Sequence, residues 1–236
     1  AGCRRVSDGC RHCYAEAIDR RFHPGGATHW GASPRLLRVE KAIAELEAIA
    51  RKGAREGRLR RVLLMSMGDV FEEAPELRAP RLLLWDALCR LGGENPRLIP
   101  MILTKRPTHM AAWAKERGWP ASAWAGASVE DRDAADERIP SLLRVPATVR
   151  FLSCEPLLGA IPALPLKGIR WVLCGGENGP EARPMGAWWA RSLRDQCRRA
   201  AVPFYYKGHG SYFERKGARR NSECRKLDGR FWMETP

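Results

Sequence analysis

The sequence has no run of 18 apolar residues, so no membrane-spanning helix is expected. Its first residues, AGCRRVSDGCRHCYAE, lack the apolar stretch of a secretory signal, and the expected location is the cytoplasm. Thiols stay reduced there, so the 8 cysteines are not read as a disulfide framework. There is no internal repeat and no long low-complexity tract. The dinucleotide fingerprint G-x-G-x-x-G is missing. An H-x-x-x-H pair and a dense carboxylate cluster are missing too, which argues against a metal-assisted hydrolase. Acidic residues are scarce: 27 Asp+Glu stand against 41 Lys+Arg, a formal charge of +14. That surplus favours an anionic partner such as nucleic acid, a nucleotide or phosphate. Arginine supplies most of it in a chain rich in Ala, Gly and Pro, so GC-rich coding is the competing explanation.

What is present is enough apolar matter for a core. The chain has 236 residues, 44% of them hydrophobic, which excludes global disorder. Six short apolar runs end in polar or glycine-rich residues: Arg61–Met67, Leu98–Leu103, Trp124–Val129, Thr148–Ser153, Ile169–Cys174 and Pro203–Lys207. Runs of this length between turn residues read as buried strands. Val39–Arg55, Pro80–Leu91 and Gly186–Ala201 carry apolar residues at helical spacing. Strands alternating with helices imply parallel βαβ units. The expected fold class is α/β, a partial or complete parallel (β/α) barrel of about six to eight strands. A further strand could lie upstream of Ala1 or around Leu36–Val39, and a doubly wound open sheet is the alternative. Residues 1–207 would form the barrel, and 208–236 a basic extension packed on it.

In both architectures the active site lies at the carboxyl ends of the strands. Those ends carry Ser66/Asp69, Lys105/Arg106, Ser128/Glu130, Cys154/Glu155, Glu177/Asn178 and Lys207/His209. Loops are polar anyway, so the whole set is more informative than any member.

Cys3, Cys10 and Cys13 form C-x6-C-x2-C within eleven residues. Structural zinc wants four ligands, and no second C-x2-C pair exists. His12, His23, His29 or a distant cysteine would have to complete such a site. A [4Fe–4S] cluster held by three cysteines would keep one iron open. Iron–sulfur, zinc and no metal are the three readings these residues allow. Arg4, Arg5 and Arg11 could offset thiolate charge or contact phosphate.

Cys3–Glu16, Ser66–Phe71, Leu103–Pro107, Arg150–Gly159, Trp171–Pro180 with Ala182–Met185, and Leu227–Trp232 resemble, in order, the blocks of the phage-associated three-Cys-motif family. That family occurs in phages and bacteria, mostly without assigned function, and relatives usually begin with a strand leading into the first cysteine. It is itself similar to radical S-adenosylmethionine (SAM) enzymes, whose motif is C-x3-C-x-φ-C with φ aromatic. Cys10-Arg11-His12-Cys13 matches the second half, with His12 in the φ position, while the first gap is six residues instead of three. The resemblance implies a [4Fe–4S] cluster on Cys3, Cys10 and Cys13, SAM at the open iron, a reducing electron donor, and a 5′-deoxyadenosyl radical that takes a substrate hydrogen. Gly175-Gly176-Glu177 comes too late in the chain to be the methionine-binding Gly-Gly-Glu element of those enzymes. By position, Ser66-Met67-Gly68-Asp69 is the better analogue, with Asp69 accepting from the ammonium. Lys105, Arg106 or Lys207 could pair with the carboxylate.

The candidate cofactor-binding set is therefore His12, Tyr14, Ser66, Asp69, Arg106, Ser128, Glu130, Gly175, Gly176, Glu177 and Lys207, and the candidate catalytic set is Cys154, Glu155 and Lys105. Cys154 could return a hydrogen atom to a product radical, or be a small buried hydrophobe. Glu155 would need a partner if buried, from Lys105 or Lys207. Gly175 and Gly176 allow close approach to a ligand, or merely a turn. In Lys207–Lys226, cations alternate with Tyr212 and Phe213 after Tyr205 and Tyr206, a pattern suited to phosphate contact and base stacking or to a solvated surface. The expected function is a radical-SAM-like enzyme modifying or repairing nucleic acid or a nucleotide. The alternative is a zinc- or cluster-stabilised nucleic-acid-binding module without catalysis.

Overall fold

The computed structural model describes residues 2–23, 29–31, 38–94, 97–215 and 222–236. Six strands carry it: β1 (Arg60–Leu64), β2 (Leu98–Thr104), β3 (Trp124–Ser128), β4 (Arg150–Cys154), β5 (Trp171–Gly175) and β6 (Phe204–Gly208). They lie side by side in chain order, and every neighbouring pair is parallel. Each matches one of the expected runs, shifted by at most a few residues. β1 stops early because Met65 takes φ 55°, a left-handed turn that breaks the pleat. β1 and β6 do not pair, so the sheet is a curled half-barrel.

Sequential order excludes the doubly wound alternative. Right-handed crossovers between consecutive strands that never reverse direction put every helix on one face. The helices are α1 (Tyr14–Phe22), α2 (Val39–Glu56), α3 (Arg78–Glu94), α4 (Pro107–Arg117), α5 (Arg132–Leu143), α6 (Ala187–Arg199) and the short α7 (Ser211–Arg215). Pro107 opens α4 at its first turn, and the Asp131 side chain accepts from Ala134 N–H at 2.9 Å to cap α5. No additional strand forms at Val39, which starts α2, and Leu36 and Leu37 lie outside the described residues.

Strand alternation sorts the side chains into two cores. The outer core packs Leu98, Ile102, Leu152, Val172 and Phe204 against Leu88, Met110, Ile139, Leu142 and Leu193 of the helices. Trp85, 1% exposed, meets Phe71, Trp113 and Trp119 edge-on there. The concave face carries a smaller cluster: Ile99, Met101, Trp124, Phe151 and Trp171. Beyond β6, the chain returns so that Tyr206 N–H donates to Trp232 O, and Trp171 Nε1 donates to Glu234 O. Among the described residues no helix is long and apolar enough to cross a membrane.

Candidate functional site

The cysteine segment, residues 3–13, lies across the carboxyl mouth of the half-barrel and is tied down at three strand ends. After β1, the Asp69 carboxylate accepts from Thr104 Oγ1 (2.7 Å), Phe71 N–H (2.9 Å), Lys105 N–H (3.2 Å) and Arg106 Nη1 (2.9 Å). Arg106 continues outward: Nη2 donates to Arg4 O at 2.7 Å, and Nη1 lies 3.7 Å from Cys3 Sγ. The buried Glu72 accepts from Arg4 N–H at 3.1 Å.

After β3, Glu130 accepts from Ser7 Oγ at 2.7 Å and from the buried Arg138 at 2.6 Å, with Lys105 Nζ at 3.4 Å. Burial alone would push the Glu130 carboxyl up, but Lys105, Arg138 and Ser7 outweigh it and hold it below the usual range. Gly9 is what lets the segment sit this low, since a Cβ there would lie 2.2 Å from Glu130 Oε1. After β5, Glu177 accepts from Arg183 Nη2 (2.6 Å), Nε (2.9 Å) and backbone N–H (2.8 Å), and His12 Nδ1 lies 3.2 Å away. Arg183 also pairs with Asp8. Burial raises the Glu177 carboxyl, and the Arg183 bonds win by lowering it. Each anchor joins a strand-end carboxylate to the segment that holds the thiols.

Beneath this strap lies a cavity of about 520 Å³, within the size range of small-molecule sites. Cys3, Cys10 and Cys13 all face it, as do His12, Tyr14, Ser66, Asp69, Lys105, Arg106, Ser128, Glu155, Gly176, Glu177 and Lys207. Its floor is apolar: Met101, Leu103, Phe151 and Leu173 of the concave face. Lys207 Nζ donates to Glu155 Oε2 at 2.5 Å, so Lys207 rather than Lys105 is the partner of this carboxylate. Tyr14 OH donates to Ser66 O at 2.9 Å and closes one side.

Ser128 and Ser153 are neighbours in the β3–β4 register, both buried and both on the cavity wall. The Ser128 carbonyl accepts from Arg138 Nη1 and the Ser153 carbonyl from Val129 N–H, both at 2.9 Å, so their backbones are fixed while the side chains border the cavity.

Six of the expected site residues sit differently from a free ligand-binding role. Cys154 points away from the cavity: Ser153 takes the inward position, and strand alternation sends the next residue into the outer core beside Cys174 and Cys197. Burial pushes the Cys154 and Cys174 thiols far up and the Cys197 thiol up to about 12, so these three are apolar filling. Asp69 lines the cavity, but four protein donors already occupy its carboxylate, which leaves it poorly placed to take an ammonium group. Arg106 is committed to Asp69 and the Arg4 carbonyl in the same way. Glu130 and Gly175 are not on the cavity wall. The close approach that Gly176 permits is to backbone, because a Cβ there would lie 2.1 Å from His209 O.

The tail expectation divides. Tyr206 is 1% exposed and bonds His209, and Tyr205 packs against the concave cluster, so neither offers a free ring. Lys216, Arg219 and Arg220 lie outside the described residues, as does the side chain of Arg215.

Over residues 1–236 the chain matches the family model described as Protein of unknown function (DUF5131). The chain belongs to that family. No curated protein and no solved structure matches it at a significant level. The match spans strap and half-barrel together and assigns the family no activity.

Several site residues escape sequence reasoning. Ser7, Arg138 and Arg183 anchor the strap, yet an isolated serine and two ordinary arginines among so many carry no signal. Ser153 was recoverable, since it stands two residues from Phe151 on an alternating strand.

The three thiols do not gather within 4.8 Å of one another, as ligands of one ion would. A cubane takes one thiolate per iron and therefore tolerates wider spacing. Burial pushes the Cys3 thiol up to about 11, although Arg106 pulls it down, so this sulfur stays protonated at neutral pH.

Proposed function

We propose that this protein is an iron–sulfur enzyme of radical-SAM type acting on a nucleotide or on nucleic acid. The observation that supports it is one segment presenting Cys3, Cys10 and Cys13 to a cavity at the carboxyl mouth of a curled parallel sheet. These residues would hold three irons of a [4Fe–4S] cluster and leave the fourth for SAM. When bound, the two cofactors would supply a carbon-centred radical able to remove a hydrogen atom from substrate.

The chain's own residues have separate tasks in this reading. Arg106, beside Cys3, offsets thiolate charge. The Lys207–Glu155 pair matches a zwitterionic amino-acid head group: Glu155 takes the ammonium in place of the saturated Asp69, and Lys207 takes the carboxylate. Lys105 remains on the wall as a second cation. Ser128 and Ser153 bond a polar edge of the sugar or base. Phe151, Met101 and Leu103 keep the floor dry, which protects a reactive species from water. The +14 charge and the phage association implied by the three-cysteine resemblance favour DNA, RNA or a nucleotide as substrate.

Anaerobic reconstitution tests the reading. The protein should take up about four Fe and four sulfide per chain, and SAM should change the EPR spectrum of the reduced cluster. Stoichiometric zinc with no iron, or a spectrum indifferent to SAM, would reject it. Affinity for single-stranded nucleic acid should fall as salt rises, with a log–log slope of about −0.7 per neutralised phosphate.

A further inference from the structure

Asp19, His23 and His29 make a cluster that the cavity does not use. Asp19 and His23 are four residues apart at the carboxyl end of α1, so they share one face a turn apart. His29 comes back to the same place from beyond the helix. Asp19 Oδ1 lies 2.9 Å from His29 Nδ1 and 3.3 Å from His23 Nδ1, and the three atoms all lie within 4.8 Å of one another. No other three ligand groups among the described residues come so close. The two imidazoles stand nearly perpendicular, at 83°, with centroids 4.9 Å apart.

Without an ion, His29 Nδ1 shares a hydrogen bond with Asp19 Oδ1 and His23 Nδ1 lies 3.0 Å from the Asp19 backbone O, and a bound ion would take the place of those protons. Ligands at about 2.0–2.1 Å from a tetrahedral ion stand roughly 3.3 Å from each other. The carboxylate is oriented before any ion arrives, because its second oxygen, Oδ2, accepts from His29 backbone N–H at 2.9 Å. That outer bond is the kind of support that fixes a metal ligand. Access is open on one side: the Asp19 side chain is 1% exposed, but that of His23 is 43% exposed. Two imidazoles and one carboxylate with a solvent-facing fourth position suit a borderline divalent ion, and zinc outranks iron(II) for such ligands.

We propose that Asp19, His23 and His29 form a second metal site, a His2Asp set for Zn2+ with water as the fourth ligand. Its place in the fold gives it a bracing role. Trp30, next to His29, lines the cavity, and Gly31 N–H donates to Cys3 O at 3.1 Å. An ion held here pins α1, which starts directly after Cys13, to the segment that supports Cys3. Both ends of the cysteine strap are then fixed to one point outside the cavity.

The site is tested on the full-length chain carrying Cys3→Ala, Cys10→Ala and Cys13→Ala, so that no strap thiol competes. This chain, stripped of metal, should bind one Zn2+ by calorimetry. With Co2+ it should show the visible ligand-field bands of a four-coordinate nitrogen and oxygen set, without thiolate charge-transfer bands. Adding His23→Ala or His29→Ala should weaken Zn2+ binding by at least about tenfold, since even losing an outer partner of a ligand costs about that much. Absence of stoichiometric Zn2+ binding, or affinity unchanged by both histidine variants, would overturn the proposal. If the triple variant does not fold, the wild-type cobalt spectrum decides: the nitrogen and oxygen bands should vanish in His23→Ala, and a spectrum that His23→Ala leaves unaltered rejects the site. The iron count separates this inference from the cluster reading. His23→Ala should still load the wild-type amount of iron on anaerobic reconstitution, whether or not that iron binds SAM, and should only release it faster to a chelator because the brace is gone; failure to load iron at all, as in Cys10→Ala, would assign the histidines to the cysteine centre and end the proposal.

Discussion

The two faces of the sheet hold the same residue type in opposite circumstances. On the outer face Cys154, Cys174 and Cys197 are fully buried among aliphatic side chains, and burial, helped by neighbouring thiols and carboxylates, drives their thiols up. At the mouth Cys3, Cys10 and Cys13 are half-buried, beside Arg106, Ser7 and the strand-end carboxylates. The chemistry of a thiol is decided by its surroundings, since reactivity follows stabilisation of the thiolate. Three cysteines filling space behind the sheet and three facing a cavity with a charged rim at its mouth can therefore coexist in one small fold without interfering.

The sharpest way to break this comparison is to exchange the effects. Cys10→Ala should abolish iron loading entirely, and Cys197→Ala should leave the iron content unchanged, as measured by iron and sulfide analysis after anaerobic reconstitution. Equal losses would show that the faces are not independent.

Next in size is the anchor after β3. Arg138→Ala leaves Glu130 buried without its closest cation and should cost about 3–5 kcal/mol in urea denaturation, the range for breaking a buried pair. Arg106→Ala, at the rim, should cost less while lowering iron retention.

A smaller effect is expected from Cys154→Ser. It places a hydroxyl in an apolar core and should cost about 1–3 kcal/mol, with iron content intact. Iron loss without destabilisation would return Cys154 to the site.

The smallest concerns pH. Glu130 and Glu177 have folded-state values below the ordinary 4.5, so their contribution is complete above that value and is lost as pH falls through the lower folded one. Between pH 8 and 5 these groups should therefore give the melting temperature no pH dependence, and it should decline in more acid solution. Glu177→Gln should make that decline shallower.

The strand positions were legible because short apolar runs end in turn residues, and a parallel sheet buried on both faces needs such runs. Leu98–Thr104 is the clearest case. α4 and α5 were harder, since their apolar faces are weak and Pro107 and Pro140 interrupt the pattern. The thiol triplet and the strand-end polar groups could be read from spacing. Their division into inward and outward could not be read at Cys154, because a one-residue difference in register reverses a side chain. The pairing Asp69–Arg106 was equally hidden: both residues are polar and near strand ends, and only the fold shows that they satisfy each other.

The aromatic floor of the half-barrel has an optical consequence. Trp171 stands at the centre of a ring network, 6.0 Å from Phe151, 6.1 Å from Trp124 and 6.2 Å from Tyr205. Phe151 faces the cavity directly. Any coloured occupant of that cavity would sit within a few ring diameters of two indoles and drain their excited state by energy transfer. Intrinsic fluorescence thus becomes a gauge of occupancy that requires no label and no knowledge of the substrate.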